Sequence, residues 1–390
     1  KIMQKKHLVL AAAVLLCAAV VFSAGCVDNG TSGDRVEILY SAPGTMAQLL
    51  DSEAVDAVIT WQPFVAGIEE SGVGKVVSYS EDLPPAGKWE GHTCCVFGAN
   101  SNALANPEVA ADVTALMILG NEYITENPDK SAALIADWLF ANGELTYGDV
   151  KVDSLDVMKA SIPTILFSGE VTDAWITSNE DFVKSQRDLG LVTGKLANTN
   201  SEETEALLFD FSAYDAAQDI LASGKFLDPK TAVQEISIGS LPSDHDGPLF
   251  VLLKDWKFFK DNYNTYLKPV SEKVGKIDKA ELYVNGKKVC DVKLIEGSAG
   301  PQLMTLLQQN QIQYAVAGTP PFVSAIDKAS SAVDIKILAP IMMNGSGLLA
   351  AADAPADDWD SFVAWIKERS AEGKPVVIAD PQLGSIQDVQ

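Results

Sequence analysis

The chain is poor in positive charge, in histidine and in cysteine, and each shortage excludes something. Its 390 residues hold 29 Lys and Arg against 53 Asp and Glu, a formal net charge of −24 at pH 7. Phosphate backbones demand a basic patch, so nucleic acid is excluded as a partner, whereas an acidic surface suits a soluble exported protein. Of the 3 histidines, His7 falls in the N-terminal segment, which leaves His92 and His245. With Asp244 and Asp246 these could meet at a metal only if their loops approach; the spacing supplies no ligand geometry, and no metal is assigned. Among the 5 cysteines, Cys94, Cys95 and Cys290 lie beyond the N-terminal region, an odd number without metal-ligand spacing. Two of them could pair in an oxidising compartment, and burial as small apolar side chains is equally admissible. GxSxG, Walker, HExxH and CxxC patterns are all missing, so no catalytic residue and no cofactor is assigned.

What is present begins with an export signal. Lys1, Lys5 and Lys6 precede an apolar run from Leu8 to Phe22, and Ser23-Ala24-Gly25 supplies small residues before Cys26. About fifteen apolar residues is short of the ~20 a membrane-spanning helix needs. Small-small-Cys resembles a lipobox, which makes Cys26 the expected lipid-attachment site, although Ser23 stands where lipoboxes usually carry Leu. Residues 1–26 then form the signal segment and 27–35, with NGTSGD at Asn29–Asp34, a flexible tether. The expected location is extracytoplasmic, either anchored to the outer face of the cell membrane or secreted. No later apolar run is long enough to span a bilayer.

An internal repeat organises the rest. VEILYSAPGTMAQLL (Val36–Leu50) and VDAVITWQPFVAGI (Val55–Ile68) correspond to VKLIEGSAGPQLMTLL (Val292–Leu307) and QYAVAGTPPFVSAI (Gln313–Ile326). Gly44 matches Gly300, and Pro63-Phe64-Val65 matches Pro321-Phe322-Val323. Both units read strand, Gly-containing loop, helix, strand, Pro-containing loop, helix, and their short apolar strands suit parallel sheets covered on both faces. Two such units predict two α/β lobes facing across a cleft, with ligand loops beyond the C-terminal strand ends. Further strands are expected at Glu235–Ser240, with a helix over 247–259, at Ile335–Met342 and at Pro375–Ala379. Ala280–Val284 and Lys288–Leu294 flank Asn285-Gly286, a strong hairpin signal. Between Pro107 and Ser223 the pattern reads as almost wholly helical, with starts near Pro107, Asp129 and Asp153 and ends near Gly143 and Gly190.

EISIGSLPSDHDGPLFVLLKDWKFF, AVAGTPPFVSAI, VVIADPQLGSIQDVQ and DAVITWQPFVAGIEESGVGKVV resemble the nitrate/sulfonate/taurine group of ABC-importer solute-binding proteins, which includes binders of thiamine-pyrimidine precursors. The resemblance covers most of Val36–Gln390. It implies an α/β, type II periplasmic-binding-protein-like fold: two α/β lobes with a hinge and a helical extension. The segments stand in an unusual order, because the unit that ends the second lobe in the family comes first here. The expected domains are a second-lobe unit at 36–78 (with 373–390), a return to the first lobe plus helices at 79–150, a helical extension at 151–234 and the first lobe at 235–372. Circular permutation, a partial tandem and a fragment all fit that order; the opening Lys and the stop at Gln390 inside an expected helix suggest a fragment, and the pieces present are expected to assemble, in a permutation-like way, into one roughly complete fold with a damaged second lobe.

The resemblance implies a monomer that binds a small molecule and docks on ABC permease subunits, tied to the membrane by a lipid anchor. Candidate ligand groups follow from strand-to-helix loops. Ser243, Asp244, His245 and Asp246 lie in SLPSDHDGP, where the bland role is helix capping. Gly318, Thr319 and Pro320 stand in the matching loop of the repeat, and Asn344 follows another strand. In the second lobe, Gly384 and Ser385 resemble the family's helix-start motif, Trp61 and Gln62 follow a strand, and Thr45 opens a helix. Acidic groups in the first loop disfavour a bare oxyanion and suit an amine-bearing sulfonate or pyrimidine. The alternative function is an enzyme on the same two-lobed fold, such as a thiamine-pyrimidine precursor synthase.

Overall fold

The computed structural model describes residues 33–390 apart from 148, 274 and 330–332. The signal segment, Cys26 and most of the tether lie outside the described residues. From Val36 the chain runs through β1 (Val36–Tyr40), helix Pro43–Asp51, β2 (Ala57–Trp61), helix Phe64–Glu70 and β3 (Gly74–Tyr79), then reaches β4 (Thr93–Asn100). Long helices Pro107–Glu126 and Pro128–Phe140 follow, then β5 (Glu144–Tyr147), β6 (Val150–Asp153), helix Ser154–Ser161 and β7 (Ile165–Phe167). Helices Asp173–Asp188, Ser201–Leu208 and Ser212–Ser223 lead to β8 (Glu235–Ser240) and helices Gly247–Lys254 and Trp256–Tyr263. The chain closes with β9 (Tyr266–Lys273), β10 (Lys276–Val284), β11 (Lys287–Glu296), helix Gly300–Gln308, β12 (Tyr314–Gly318), helix Thr319–Lys328, β13 (Ile335–Asn344), β14 (Ser346–Ala351), helix Trp359–Ala371 and β15 (Val376–Asp380).

Two sheets carry the fold. One runs β1-β15-β2-β14-β3 and the other β7-β13-β4-β12-β8-β11-β10-β9. The repeat is visible in this order. β1 and β2 flank β15 in parallel, as β11 and β12 flank β8 in parallel. An antiparallel strand then follows in each sheet, β14 beside β2 and β4 beside β12, and beyond these lie β3 and β13. The lobes exchange strands at this end: β3 of the smaller sheet leads into β4 of the larger, and β13 of the larger leads into β14 of the smaller. Each lobe's fifth strand therefore feeds the other's fourth, a pseudo-twofold pair of crossings at a hinge.

Local chemistry explains these elements. β12 and β8 are almost wholly buried, as the unbroken apolar runs require of strands covered on both faces. Asn285 and Gly286, at φ 50 and 75°, make the left-handed two-residue turn between β10 and β11. Asp153 caps helix Ser154–Ser161 by accepting from Leu155 N–H, and prolines open helices Pro107–Glu126 and Pro128–Phe140. In the larger lobe Phe97 stacks on Tyr314 at 5.6 Å and Trp138 on Phe250 at 4.5 Å, with Phe322 fully buried. Each such side chain contributes roughly 2–3 kcal/mol by leaving water.

Three expectations are corrected. The block after Pro107 is not wholly helical: β5 and β6 pair as a hairpin, and β7 adds to the larger sheet beside β13. The tip of that hairpin explains its place, since Tyr147 packs so closely on the helix of Gly67 that a Cβ at Gly67 would sit 2.1 Å from the Tyr147 hydroxyl. The helix expected over 247–259 breaks at Asp255, whose carboxylate accepts from Tyr123 at 2.6 Å and Lys130 at 2.5 Å. Residues 346–372, assigned to the first lobe, instead supply β14 and helix Trp359–Ala371 to the smaller lobe.

Candidate functional site

The loop after β8 points into the seam between the lobes. Ser243 caps a short turn over Asp244–Asp246 and accepts from His245 N–H. Its hydroxyl donates to the carbonyl of Gln62, at the end of β2 in the other lobe, at 2.9 Å. Gln62 is itself buried; its Oε1 accepts from Ala66 N–H at 3.0 Å and its Nε2 donates to Thr164 at 2.9 Å. Thr164 donates to the Ser161 carbonyl at 2.8 Å, and the Ser161 hydroxyl donates to Asp244. The end of helix Ser154–Ser161 thus straps the two lobes together across the seam.

His245 lies at the centre. Its Nε2 meets the Gly345 carbonyl at 3.2 Å, and its Nδ1 stands 3.5 Å from Cys94 Sγ and 3.8 Å from Cys95 Sγ. Gly345 is the single residue between β13 and β14, so the imidazole touches the crossing itself. Asn344 and Gly345 both sit at positive φ, 61 and 79°, and a Cβ at Gly345 would lie 2.9 Å from Met342 Cε and 3.0 Å from His245 Nε2. Only glycine fits that turn without strain.

These buried groups perturb one another. A hydrogen bond from Cys95 lowers the Cys94 thiol well below its ordinary range despite burial, with His245 adding to the effect. The same bond, with burial, raises Cys95. Burial pushes His245 down, but the Cys94 charge and bond, then Asp244 and Asp246, carry it up to about 9. Burial raises both Asp244 and Asp246. One Asp246 oxygen accepts from Leu241 N–H at 2.6 Å, while its Oδ1 and the Asn344 Oδ1 have no partner.

The other sequence candidates divide into those at the seam and those elsewhere. Thr319 is buried but engages Thr93 at 3.0 Å and Asn179 at 3.1 Å. Gly318 precedes it as the helix cap position. Pro320 and Gly384, one from each lobe, line a groove of about 360 Å³ with Gln186, Leu191, Met304 and Gln382, and Gln186 donates to both their carbonyls. Ser385 caps the four-residue turn Ile386–Val389 by accepting from Asp388 N–H at 3.1 Å. Trp61 is half-buried edge-on to Phe64, and exposed Thr45 donates to Ala42 in its own helix start. His92 does not join His245; its ring meets Ser80 at 2.8 Å and the Thr93 carbonyl at 3.0 Å, and burial lowers it.

Sequence reasoning missed Cys94, Cys95, Ser161 and Thr164 as seam residues. The cysteines show no metal-ligand spacing, and adjacent residues on a strand ordinarily face opposite ways. A bulge removes that objection: Met342 pairs with Cys95 and Met343 with Thr93, so Cys94 is the extra residue of β4, and bulges re-aim side chains.

Two α/β lobes that exchange strands at a hinge and meet on polar strand-end loops define a solute-binding protein of the periplasmic type. The NMT1-like family matches residues 21–140 and 230–390, and the chain belongs to that family. Membership implies a small-molecule ligand and an ABC permease as partner, and with them a place outside the cytoplasm. The uncharacterized protein MJ1180 of Methanocaldococcus jannaschii is 33% identical over 114 residues, which are 29% of this chain and 76% of that protein. No solved structure matches the chain. Among the described residues no helix is long and apolar enough to cross a membrane.

Proposed function

We propose that the protein is a lipoprotein, anchored through Cys26, that captures one solute in the seam by hinge closure and passes it to its permease unchanged. The observation that carries this is the interlock of Ser243 with the Gln62 carbonyl across the lobes, set beside the two strand crossings that can flex. The permuted reading of the chain fits the neighbourhood of its first and last strands, since β1 pairs with β15 from Val36–Val376 to Tyr40–Asp380.

The seam favours a solute that donates hydrogen bonds. Burial opposes the ionisation of Asp244 and Asp246, an opposition that a cationic amine beside them relieves, and the partnerless Asn344 oxygen is an acceptor. An amine-bearing sulfonate or an aminopyrimidine supplies N–H groups there; nitrate supplies none. A thermal-shift screen of oxyanions, sulfonates, amino-sulfonates and aminopyrimidines tests this. The amine-bearing classes raise the melting temperature while the ligand is recovered intact. A rise with nitrate alone overturns the ligand preference, and chemical turnover of the ligand overturns the binder reading.

One observation favours the alternative, an enzyme on the same fold. The lowered Cys94 thiol beside a raised His245 is the pairing that activates a nucleophile. Turnover in the same screen, abolished in Cys94→Ser, is its signature.

A further inference from the structure

Cys94 Sγ, Cys95 Sγ and His245 Nδ1 all lie within 4.8 Å of one another, and all three residues are buried. We propose that these three side chains bind one thiophilic metal ion of the Zn²⁺ class, with a fourth coordination position left for a ligand from outside the three.

The spacing is that of a tetrahedral site. An ion about 2.3 Å from sulfur and about 2.0 Å from nitrogen holds its sulfur and nitrogen ligands roughly 3.5 Å apart. The separations here are 3.5 and 3.8 Å, so an ion enters with little movement of the chain. The imidazole is already set for ligation. A carbonyl oxygen only accepts, so His245 Nε2 donates to Gly345, and Nδ1, which faces the two sulfurs, is the nitrogen that ligates once the ion displaces its proton. Fixing a ligand's far nitrogen on a backbone carbonyl is how metal-binding histidines are oriented. The bulge at Cys94 supplies the second thiol on the same side. Without it β4 would offer one.

Ligand chemistry selects the ion. Two thiolates and an imidazole prefer a soft or borderline cation and reject Mg²⁺ and Ca²⁺, which want oxygen. A disulfide is a poor competitor. Adjacent Cα atoms stand about 3.8 Å apart, below the roughly 4.4–6.8 Å that a disulfide spans, and Cys94, Cys95 and Cys290 are all free. A divalent ion also balances the two thiolates, so the ion and its three ligands carry no net charge, the condition under which ions are tolerated in a core. The proposal stands apart from the identity of the transported solute.

The test uses the full chain, reduced and freed of metal with a chelator, and Co²⁺ as the probe. The wild-type protein gives thiolate-to-cobalt charge-transfer absorption and tetrahedral ligand-field bands that saturate at one equivalent, and Zn²⁺ displaces the cobalt. Cys94→Ser, Cys95→Ser and His245→Gln each weaken binding by roughly tenfold to a hundredfold or more, while Cys290→Ser binds as wild type. Near-ultraviolet circular dichroism shows which variants are folded. X-ray absorption of the Zn²⁺-loaded wild-type protein keeps the test independent of variant folding, and reports two sulfur ligands and one imidazole. Absence of stoichiometric binding, a coordination sphere without sulfur, or a folded cysteine variant with wild-type affinity overturns the proposal.

Discussion

The two lobes share one strand order and differ at their margins. Among the described residues β1 is an edge strand of the smaller lobe, with Val36, Ile38 and Tyr40 exposed at 40, 48 and 47%. Its counterpart β11 in the larger lobe is covered by β10 and β9, and Val292 there is buried. The same βαβ unit therefore sits in a fully flanked sheet in one lobe and at an open margin in the other. An added hairpin is one of the ways natural sheets protect an edge. The repeat's matched phenylalanines show the consequence for packing: Phe322 is fully buried between helix and sheet, while Phe64 is half-buried against Trp61.

The largest expected effect tests that difference. Phe322→Ala removes a ring from a closed core and costs about 3–5 kcal/mol, whereas Phe64→Ala costs about 1–2 kcal/mol for the smaller area it buries. Urea unfolding of both variants measures the gap; equal losses would mean that the lobes are packed alike. Next comes the crossing that joins them. Gly345→Ala forces a Cβ into a left-handed turn against Met342 and His245, which costs about 1–3 kcal/mol. It also displaces the His245 ring, so ligand affinity falls with stability in the same titrations.

The smallest effect is a pH dependence shared between the lobes. Burial, then the Asp388 charge, raises Asp380 to about 7 in the smaller lobe, and burial raises Asp112 to about 7 in the larger. Each holds its proton in the folded state at a pH where the unfolded chain has lost it. Stability is therefore full below the unfolded value near 4 and declines as pH rises through about 7. Asp380→Asn removes about 1–2 kcal/mol of that decline after allowance for solvent screening. Unfolding midpoints between pH 4.5 and 8 should flatten in the variant, with Asp112, Asp244 and Asp246, all raised by burial, sharing the slope that remains. An unchanged slope would place the titration elsewhere.

Much of the strand order was legible because apolar runs and turn residues carry local meaning. EISIGS, YAVAG and the Asn285-Gly286 turn each have one physical solution, and the repeat located both βαβ units. The crossing at Gly345 was legible only as a turn, since Asn344-Gly345-Ser346 breaks the apolar run after Met343 but carries no local sign that the next strand joins the other lobe. The β5–β6 hairpin escaped because ELTY and VKVD are short and polar, and their pairing depends on Tyr147 packing against Gly67. Within the site, the Ser243–Asp246 loop was found from its place after a strand. Its neighbours Ser161, Thr164, Cys94 and Cys95 reach it through long-range packing and a bulge, for which a single sequence carries no local signal.

The central claim is capture by closure of the two lobes on a seam held by Ser243. Small-angle scattering of the full chain, with and without the tightest ligand from the thermal-shift screen, tests it most directly. The account predicts one-to-one binding with a fall in radius of gyration, and a tenfold or greater loss of affinity in Ser243→Ala. Tight binding that leaves the radius of gyration unchanged, and is indifferent to Ser243, would contradict it.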